Sequence, residues 1–346
     1  MKCGANGCEF ASDNVAPICP EAWAALEEAN ANYAPSYGDD RCSALVCDRI
    51  RDIFETDCDV YFVFNGTAAN ALALAQLCSS FESILCQERA HLQTDECGAP
   101  EFFSGGSKLI LARGQNGKID VAHAQVLLAR ENDLHSHKPG AISIAQATEF
   151  GTVYTSDEIA AIADVARAHK LFLHMDGARF ANAVASLNCA PKAITWELGV
   201  DVLCFGGTKN GAAAGELVIF FNKKVSRLFD YRAKQAGQLA SKMRFLAAPW
   251  LGLLRHDVWL HNAVSANQAA RRLAERLRCE TGIKAVFPVE ANGVFVAMDE
   301  RVVRFLYGRG WQFYKFVEPD VYRLMCSWAT TEEEITRLVV DVSAIK

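Results

Sequence analysis

Residues 171–180 read LFLHMDGARF and residues 200–216 read VDVLCFGGTKNGAAAGE, and these two stretches decide the fold of the chain. Each starts as a short apolar run and passes into glycine and polar residues, which is typical of a buried strand followed by a turn. The segment between them has helical spacing, so we expect a strand–helix–strand unit. Polar groups in such units converge beyond the carboxyl ends of the strands. We therefore expect Asp176 and Lys209 to lie close together at one edge of a sheet.

The same alternation of apolar runs and amphipathic segments begins at about residue 61. One amphipathic segment, SDEIAAIADVARAHK at 156–170, carries Ser156 and Glu158 in its first turn, where we expect a cap and a favourable charge. Strands that are apolar on both faces need helices on both sides of the sheet. The sequence therefore predicts an α/β fold with a mostly parallel central sheet.

The pattern changes after about residue 239. A long helix is expected from Gly252 to Glu280, followed by shorter alternating strands and a last helix from Thr331. We predict an N-terminal arm over residues 1–45, a large domain over 46–250 and a smaller C-terminal α+β domain over 251–346.

Composition excludes several classes of protein. The chain has 346 residues and a net charge of −6. Because no Lys and Arg cluster is interleaved with aromatics, we expect no nucleic-acid partner. No apolar stretch approaches the roughly 18 residues of a membrane span, and the N-terminus lacks the apolar core of a secretory signal. We expect a cytoplasmic protein that has neither a nucleic-acid nor a membrane partner.

The thirteen cysteines raise the possibility of disulfides or a metal site. Cys86, Cys204 and Cys326 lie in apolar runs, which is typical of small core residues in a reducing compartment. Cys3 and Cys8 lie near each other at the N-terminus, but no second pair matches them. We predict no metal site.

A carboxylate and a lysine at neighbouring strand ends are the groups that pyridoxal phosphate requires. The lysine amine forms an imine with the aldehyde of the cofactor, and the carboxylate keeps its ring nitrogen protonated. We therefore predict this cofactor, with Lys209 and Asp176 as its partners. Two alternatives stay open: Asp176 as a helix cap, and Lys209 as a surface lysine in a glycine-rich turn.

A phosphate site is expected where a strand passes into a helix at Gly66 and Thr67. Exposed N–H groups at a helix N-terminus, with a hydroxyl beside them, suit an anion. Thr208 is a second candidate for the phosphate. Any strand-to-helix turn can use Gly-Thr, so an ordinary turn is the alternative.

Three further side chains are candidates for this site. Arg179 lies one helical turn beyond Asp176, where a cation can steady the ring hydroxylate or hold Asp176 ionised. His91 follows another strand, and its imidazole can stack on the ring and handle protons. Arg323 can bind a substrate carboxylate with two parallel hydrogen bonds. The alternatives are a structural histidine and a surface ion pair.

With these residues in view, the chain resembles the low-specificity L-threonine aldolases, a fold-type-I pyridoxal-phosphate family, in the branch that includes phenylserine aldolases. The resemblance extends over almost the whole chain, in segments that include FASDNVAPICPEAW, FNGTAANALAL, HLQTDECGAPEFFS, LHMDGARFANA, CFGGTKNG and RLMCSW. It implies the aspartate-aminotransferase fold, with a large cofactor-binding domain and a small C-terminal domain.

The resemblance also implies a role for each residue of the cofactor site. Lys209 carries the cofactor, Asp176 pairs with the ring nitrogen and Arg179 with the ring hydroxyl. His91 stacks on the ring, and Gly66–Thr67 hold the phosphate.

Substrate and subunit contacts follow from the same resemblance. Ser12 and Arg323 bind the substrate carboxylate. Members of the family form dimers and commonly tetramers with active sites at subunit interfaces, so we expect a homodimer or homotetramer. The basic stretch around Arg232 and Lys234 is then expected to reach a neighbour's phosphate.

Two positions depart from the family pattern. Many members have a second histidine near the substrate, where this chain has Thr148 and Glu149, so a mechanism that needs that imidazole cannot be carried over. Many also have a serine three residues before the lysine, where this chain has Gly206.

The implied activity is cleavage of L-3-hydroxy-α-amino acids, such as L-threonine and L-allo-threonine, to glycine and an aldehyde, with His91 as first candidate for the base. One alternative is another β-eliminating lyase or an aminotransferase, and another is a catalytically silent homologue. A third is a phenylserine aldolase, for which Phe10, Tyr33 and Tyr37 could line an aromatic pocket unless they serve core or interface packing.

Overall fold

The computed structural model describes residues 9–129 and 133–345, so Cys3 and Cys8 lie outside the described residues. Its largest element is a sheet of seven strands with the spatial order β1-β7-β6-β5-β4-β2-β3. Strands β2 to β6 run parallel to one another, and β7 is antiparallel to both β6 and β1. The predicted mostly parallel sheet is confirmed. The strands are β1 (Asp59–Val63), β2 (Glu82–Gln87), β3 (Lys108–Ala112), β4 (Lys138–Ala145), β5 (Phe172–Gly177), β6 (Val202–Phe205) and β7 (Glu216–Phe220).

Helices cover both faces of this sheet, as its apolar strands require. Along β6, Leu203 and Phe205 enter one buried apolar cluster, whereas Val202 and Cys204 enter another on the opposite face. The helices of this part of the chain are α1 (Pro20–Ala29), α2 (Arg41–Phe54), α3 (Gly66–Leu77), α4 (His91–Thr94), α5 (Ala99–Phe103), α6 (Val121–Leu128), α7 (Ser156–Ala168), α8 (Phe180–Leu187), α9 (Phe229–Gln235) and α10 (Arg244–Leu254).

A second sheet follows in the C-terminal part of the chain. Its three strands are antiparallel, in the order β8-β10-β9, and they have an apolar cluster of their own. The elements are α11 (Val258–Arg276), β8 (Gly293–Ala297), α12 (Glu300–Gly308), β9 (Tyr314–Val317), β10 (Val321–Met325) and α13 (Glu332–Ser343). This is the smaller α+β unit that the sequence predicts.

The predicted continuous helix from Gly252 to Glu280 is wrong. Helix α10 ends at Leu254 and α11 begins at Val258, and the break contains His256 and Asp257 with φ values of 51° and 55°. Left-handed backbone at two successive residues cannot continue an α-helix. The periodicity of the apolar residues on both sides of the break concealed it.

One further local prediction needs correction, and another stays untested. Thr155, not Ser156, caps α7: its side chain accepts from the N–H of Glu158, whose carboxylate returns to the N–H of Thr155. The division into domains stays a prediction: its first boundary, at 45/46, falls inside α2, and the break at 255–257 lies close to the second.

Cys86, Cys204 and Cys326 are buried free thiols, as predicted. Within the described ranges, no helix is long and apolar enough to cross a lipid bilayer.

Candidate active site

The carboxyl edge of the large sheet encloses a cavity of about 300 Å³. Asp176 reaches it from the end of β5, and Lys209 reaches it from the 3₁₀ turn Thr208–Asn210 that follows β6. Adjacent parallel strands bring these two groups together, as the strand–helix–strand pattern predicts. The other residues that the sequence singled out and that line this cavity are Gly66, Thr67, His91 and Thr208.

The N-terminus of α3 forms one end of this cavity. Asn65 caps the helix by accepting a hydrogen bond from the N–H of Ala68 at 2.9 Å. The space next to Gly66 is open, since a Cβ there would meet nothing within 4 Å. Uncapped N–H groups, the helix dipole and the adjacent Thr67 hydroxyl together suit a phosphate.

The backbone around Lys209 explains the glycine at position 206. A Cβ on Gly206 would lie 2.5 Å from the carbonyl oxygen of Ala178, and one on Gly207 would lie 2.6 Å from the ring of Trp250. These contacts are too short for any side chain. With this backbone, a hydroxyl at position 206 cannot contribute to a phosphate site, so Thr208 is the hydroxyl available after β6.

A chain of hydrogen bonds connects Asp176 to His91 through two residues that sequence reasoning missed. The Nδ2 group of Asn70 donates to Asp176 Oδ2 at 3.0 Å and to Glu96 Oε1 at 2.8 Å. Glu96 Oε1 also lies 2.9 Å from His91 Nδ1. The N–H of Ala178 donates to the other oxygen of Asp176 at 3.0 Å. A polar Asn70 inside the apolar segment TAANALAL was the available signal.

This network changes the proton affinity of its members. Burial lowers the pKa of His91, but the hydrogen bond with Glu96 and the charges of Asp176 and Glu149 outweigh it and raise that pKa above its ordinary value. Burial raises the pKa of Glu96.

His91, Glu96 and Asp176 carry atoms of the kind that ligate metals, and these atoms lie within 4.8 Å of one another. Asn70, however, already donates to an oxygen of each carboxylate.

Arg179 pairs with Asp13 and not with Asp176, and its contact with the ring hydroxyl of the cofactor stays a prediction. Its Nε and terminal nitrogen donate to the two oxygens of Asp13 at 2.7 and 2.9 Å, and both side chains are buried. Burial raises the pKa of Asp13, but the charges of Arg179 and Lys209 outweigh it and lower that pKa to about 2. Asn292 donates to Asp13 as well, at 3.0 Å. Asp13 lies in the quoted FASDN segment, but nothing in that segment indicated its partner.

A second cavity, of about 370 Å³, adjoins the first and shares His91, Lys209 and Asn14 with it. Ser12 and Arg323, the predicted carboxylate ligands, both line it. Arg323 donates to the carbonyl of Ala11 at 3.3 Å, and its buried Nε has no hydrogen-bond partner among the described residues. Burial and the charge of Arg179 lower the pKa of Arg323. A guanidinium with unused donors facing a cavity suits an anionic ligand.

Two other predicted residues, Arg232 and Lys234, line neither of these two cavities. The Nζ of Lys234 lies 5.0 Å from the ring centre of Tyr37, and Arg232 donates to Gln76. A contact of Lys234 with a neighbour's phosphate stays a prediction.

Phe10, Tyr33 and Tyr37, for which an aromatic pocket and core or interface packing were both open, line neither of the two cavities within one chain. Phe10 is buried in the apolar cluster of the small sheet, and both tyrosines are exposed away from the two cavities. Sequence spacing could not distinguish an aromatic side chain in the core from one at a ligand.

The sheet order and the groups at its carboxyl edge place the fold in the class of fold-type-I pyridoxal-phosphate enzymes. The family model described as Beta-eliminating lyase matches residues 9–301. The low specificity L-threonine aldolase of Pseudomonas sp. (strain NCIMB 10558) is 53% identical over 97% of both chains. That of Pseudomonas aeruginosa is 54% identical over the same shares. A structure of Leishmania major threonine aldolase matches with a TM-score of 0.92 and 27% identity, over 97% of this chain and 99% of that one.

This chain therefore belongs to the beta-eliminating lyase family and, within it, to the low-specificity L-threonine aldolases. The resemblance stated from the sequence is confirmed, and so is the expected enzyme class, a carbon–carbon lyase.

Proposed function

We propose that this chain binds pyridoxal phosphate in the first cavity and cleaves L-3-hydroxy-α-amino acids, such as L-threonine and L-allo-threonine, to glycine and an aldehyde. The observation that carries the proposal is that Lys209, Asp176 and the open N-terminus of α3 line one cavity. These are an amine, a carboxylate and an anion site, which match the three polar parts of the cofactor. The bound cofactor supplies an electron sink for the pair released when the Cα–Cβ bond breaks.

The residues of the first cavity would hold and orient the cofactor. Lys209 provides the point of covalent attachment, and Asp176, fixed by Asn70 and the N–H of Ala178, keeps a proton on the ring nitrogen. Gly66–Thr67 and Thr208 surround the phosphate position. A preorganised charged environment of this kind is usually the largest contribution to catalysis.

The residues of the second cavity would bind the amino acid. Arg323 and Ser12 hold its carboxylate, which orients the bond to be cleaved towards the first cavity. His91 lies at the junction of the two cavities, where it can face the ring and take part in proton movements.

The names of the relatives favour aldol cleavage over elimination or amino transfer, because both Pseudomonas relatives are threonine aldolases. A preference for aromatic substrates such as L-phenylserine is a second candidate, since Phe150, Tyr314 and Phe316 line the second cavity. Rates with L-threonine, L-allo-threonine and L-phenylserine measured side by side decide between them. Release of pyruvate or a keto acid without acetaldehyde from L-threonine would contradict the proposal.

Replacement of Lys209 with Ala tests the cofactor site. We expect the variant to lose the borohydride-trapped mass increment of the cofactor and nearly all acetaldehyde release, because no other lysine among the described residues lines the first cavity. Lys224→Ala, an exposed lysine after β7, is the matched control and should keep both properties. Full activity of Lys209→Ala would contradict the proposed attachment of the cofactor to Lys209.

We also propose a homodimer or homotetramer whose active sites include residues of the neighbouring subunit. Exposed aromatic side chains, among them Phe64 at the rim of the first cavity, support this assembly. Arg232 and Lys234 support it as well, because they line neither cavity of their own chain and are expected to reach the phosphate in a neighbouring subunit. Sedimentation of the native enzyme measures the assembly. The free thiols of the described residues support a cytoplasmic location.

A further inference from the structure

Glu149 lies in the turn that follows β4, and its side chain reaches the carboxyl edge of the large sheet. It lines the second cavity together with Ser12 and Arg323. It also lines a small recess that extends to Asp176. Glu149 therefore stands between the proposed carboxylate ligands of the substrate and the proposed cofactor site, where the reacting bond must lie.

The turn holds Glu149 in a defined position. Thr148 and Thr152 on either side of it share a side-chain hydrogen bond of 2.8 Å, and the N–H of Thr148 donates to the carbonyl of Thr152 at 2.9 Å. The ring of Phe150 packs edge-on against Phe316 of β9 at 5.5 Å. Contacts on both sides of Glu149 thus fix the backbone that carries it, which is what a reacting group requires.

The carboxylate of Glu149 is half-buried, yet it has no hydrogen bond or ion pair with any other part of the described chain. Its charge nevertheless acts on the cations around the cavity. Burial lowers the pKa of each of His91, Arg179 and Arg323, and the negative charge of Glu149 raises it. An acceptor that is held among cations and bonded to none of them is available to a ligand.

His91 is less suited to accept a proton than its position suggests. Its Nδ1 is bonded to Glu96, and its pKa is raised, because the hydrogen bond with Glu96 and the nearby carboxylates outweigh burial. A raised pKa increases the fraction of imidazole that already carries its second proton near neutral pH. A carboxylate is acceptor-only when ionised.

We propose that Glu149 is the base that accepts the proton of the substrate's β-hydroxyl group, an inference that rests on the proposed aldol cleavage. The O–H bond breaks and its proton passes to a carboxylate oxygen of Glu149. The electron pair of that bond becomes the second C–O bond of the aldehyde. The Cα–Cβ bond breaks with its pair remaining on Cα, which then takes up a proton to give glycine.

Replacement of Glu149 with Gln removes the basic carboxylate, which can take up a proton, while keeping the shape of the side chain. General base catalysis typically contributes about 10²- to 10⁴-fold, so we expect kcat for acetaldehyde release from L-threonine to fall by that factor. Exchange of the glycine α-proton with deuterium, followed by NMR, involves no β-hydroxyl. Its rate, and the dissociation constant of glycine measured by calorimetry, should stay within about threefold of wild type.

Glu290→Gln is the matched control. Glu290 accepts a hydrogen bond from the N–H of Val153 in the same turn at 2.7 Å, and it lines neither of the two cavities. A glutamine oxygen can accept that bond as well, so this variant should match wild type in all three measurements.

Two outcomes would overturn the assignment of Glu149 alone. Cleavage by Glu149→Gln within about threefold of wild type would show that another group accepts the proton. An equal loss of cleavage and of glycine exchange would show a structural effect on the whole site. Wild-type enzyme that exchanges the glycine proton but releases no aldehyde from any β-hydroxy amino acid would instead overturn the proposed function, and this assignment with it.

Discussion

Asp13 holds the buried guanidinium of Arg179, which lines the second cavity. Its two oxygens accept hydrogen bonds from Arg179 at 2.7 and 2.9 Å, and both side chains are almost fully buried. An isolated buried charge is costly, so neither group is stable in this position without the other. The position of Arg179 beside Lys209 therefore depends on a residue of the N-terminal segment.

Replacement of Asp13 with Asn should destabilise the chain strongly near neutral pH. Breaking a buried ion pair by removing one partner typically costs about 3–5 kcal/mol, because the other charge stays buried. Urea unfolding followed by circular dichroism measures the change in the free energy of unfolding. Asp39→Asn, at an exposed carboxylate, should leave that free energy nearly unchanged.

The same pair predicts an acid dependence of stability. The pKa of Asp13 is lower in the folded chain than in the unfolded one, so its stabilising contribution is present above the unfolded pKa. That contribution is lost as the pH falls from about 4 to about 2. The difference in urea midpoint between wild type and Asp13→Asn should shrink over this range; a constant difference would contradict the assigned charge state.

Helix α7 has a complete N-terminal capping box, as α13 does at Thr331 and Glu334. Thr155 Oγ1 accepts from the N–H of Glu158, and a Glu158 oxygen accepts from the N–H of Thr155 at 2.7 Å. The same carboxylate binds Lys118 Nζ at 2.7 Å. This reciprocal arrangement satisfies N–H groups that the first turn of a helix leaves without partners.

Replacement of Thr155 with Ala should lower the free energy of unfolding by about 1 kcal/mol, within the range of 0.5–2 kcal/mol found for such caps. Thermal and urea unfolding of the variant measure it. Thr155→Ser keeps the hydroxyl and should retain most of the stability. An equal loss in the two variants would show that the methyl group, and not the cap, is responsible.

In the whole molecule, the N-terminal segment joins the two sheets. The N–H of Phe10 donates to Gln312, its carbonyl accepts from Met325 at 2.8 Å, and its ring lies 5.8 Å from that of Trp311. Ser12 follows two residues later and lines the second cavity. The substrate side of the site therefore depends on the contact between this segment and the small sheet.

Replacement of Phe10 with Ala should lower the free energy of unfolding by about 3–5 kcal/mol, because it leaves a cavity in a closed apolar cluster. It should also raise the KM for L-threonine by displacing Ser12. Unfolding by urea and steady-state kinetics measure the two effects.

Phe81→Ala is the control for this change, since Phe81 is exposed in a turn before β2. It should alter neither the stability nor the KM appreciably. A KM that is unchanged in Phe10→Ala would contradict the dependence of the second cavity on this segment.

Prediction from sequence succeeded where the determining signal is local. Apolar runs marked the strands around Asp176 and Lys209, and the rule that parallel strands end at one edge brought those residues together. Prediction failed where a helix break lay inside a periodic stretch, at His256 and Asp257. It also failed for Asn70, because a polar residue in an apolar helix does not indicate which group it meets.

The amino-acid sequence by itself determined the α/β class, the order of strands and helices, and the placement of the lysine and the aspartate at one edge. These follow from the period of apolar residues and from the geometry of parallel strands. Only the tertiary structure decided that Asp13 pairs with Arg179, that Asn70 joins Asp176 to Glu96, and that Phe10 belongs to the small core. Such partners are far apart along the chain, and side-chain complementarity across the folded molecule leaves no periodic signal in the sequence.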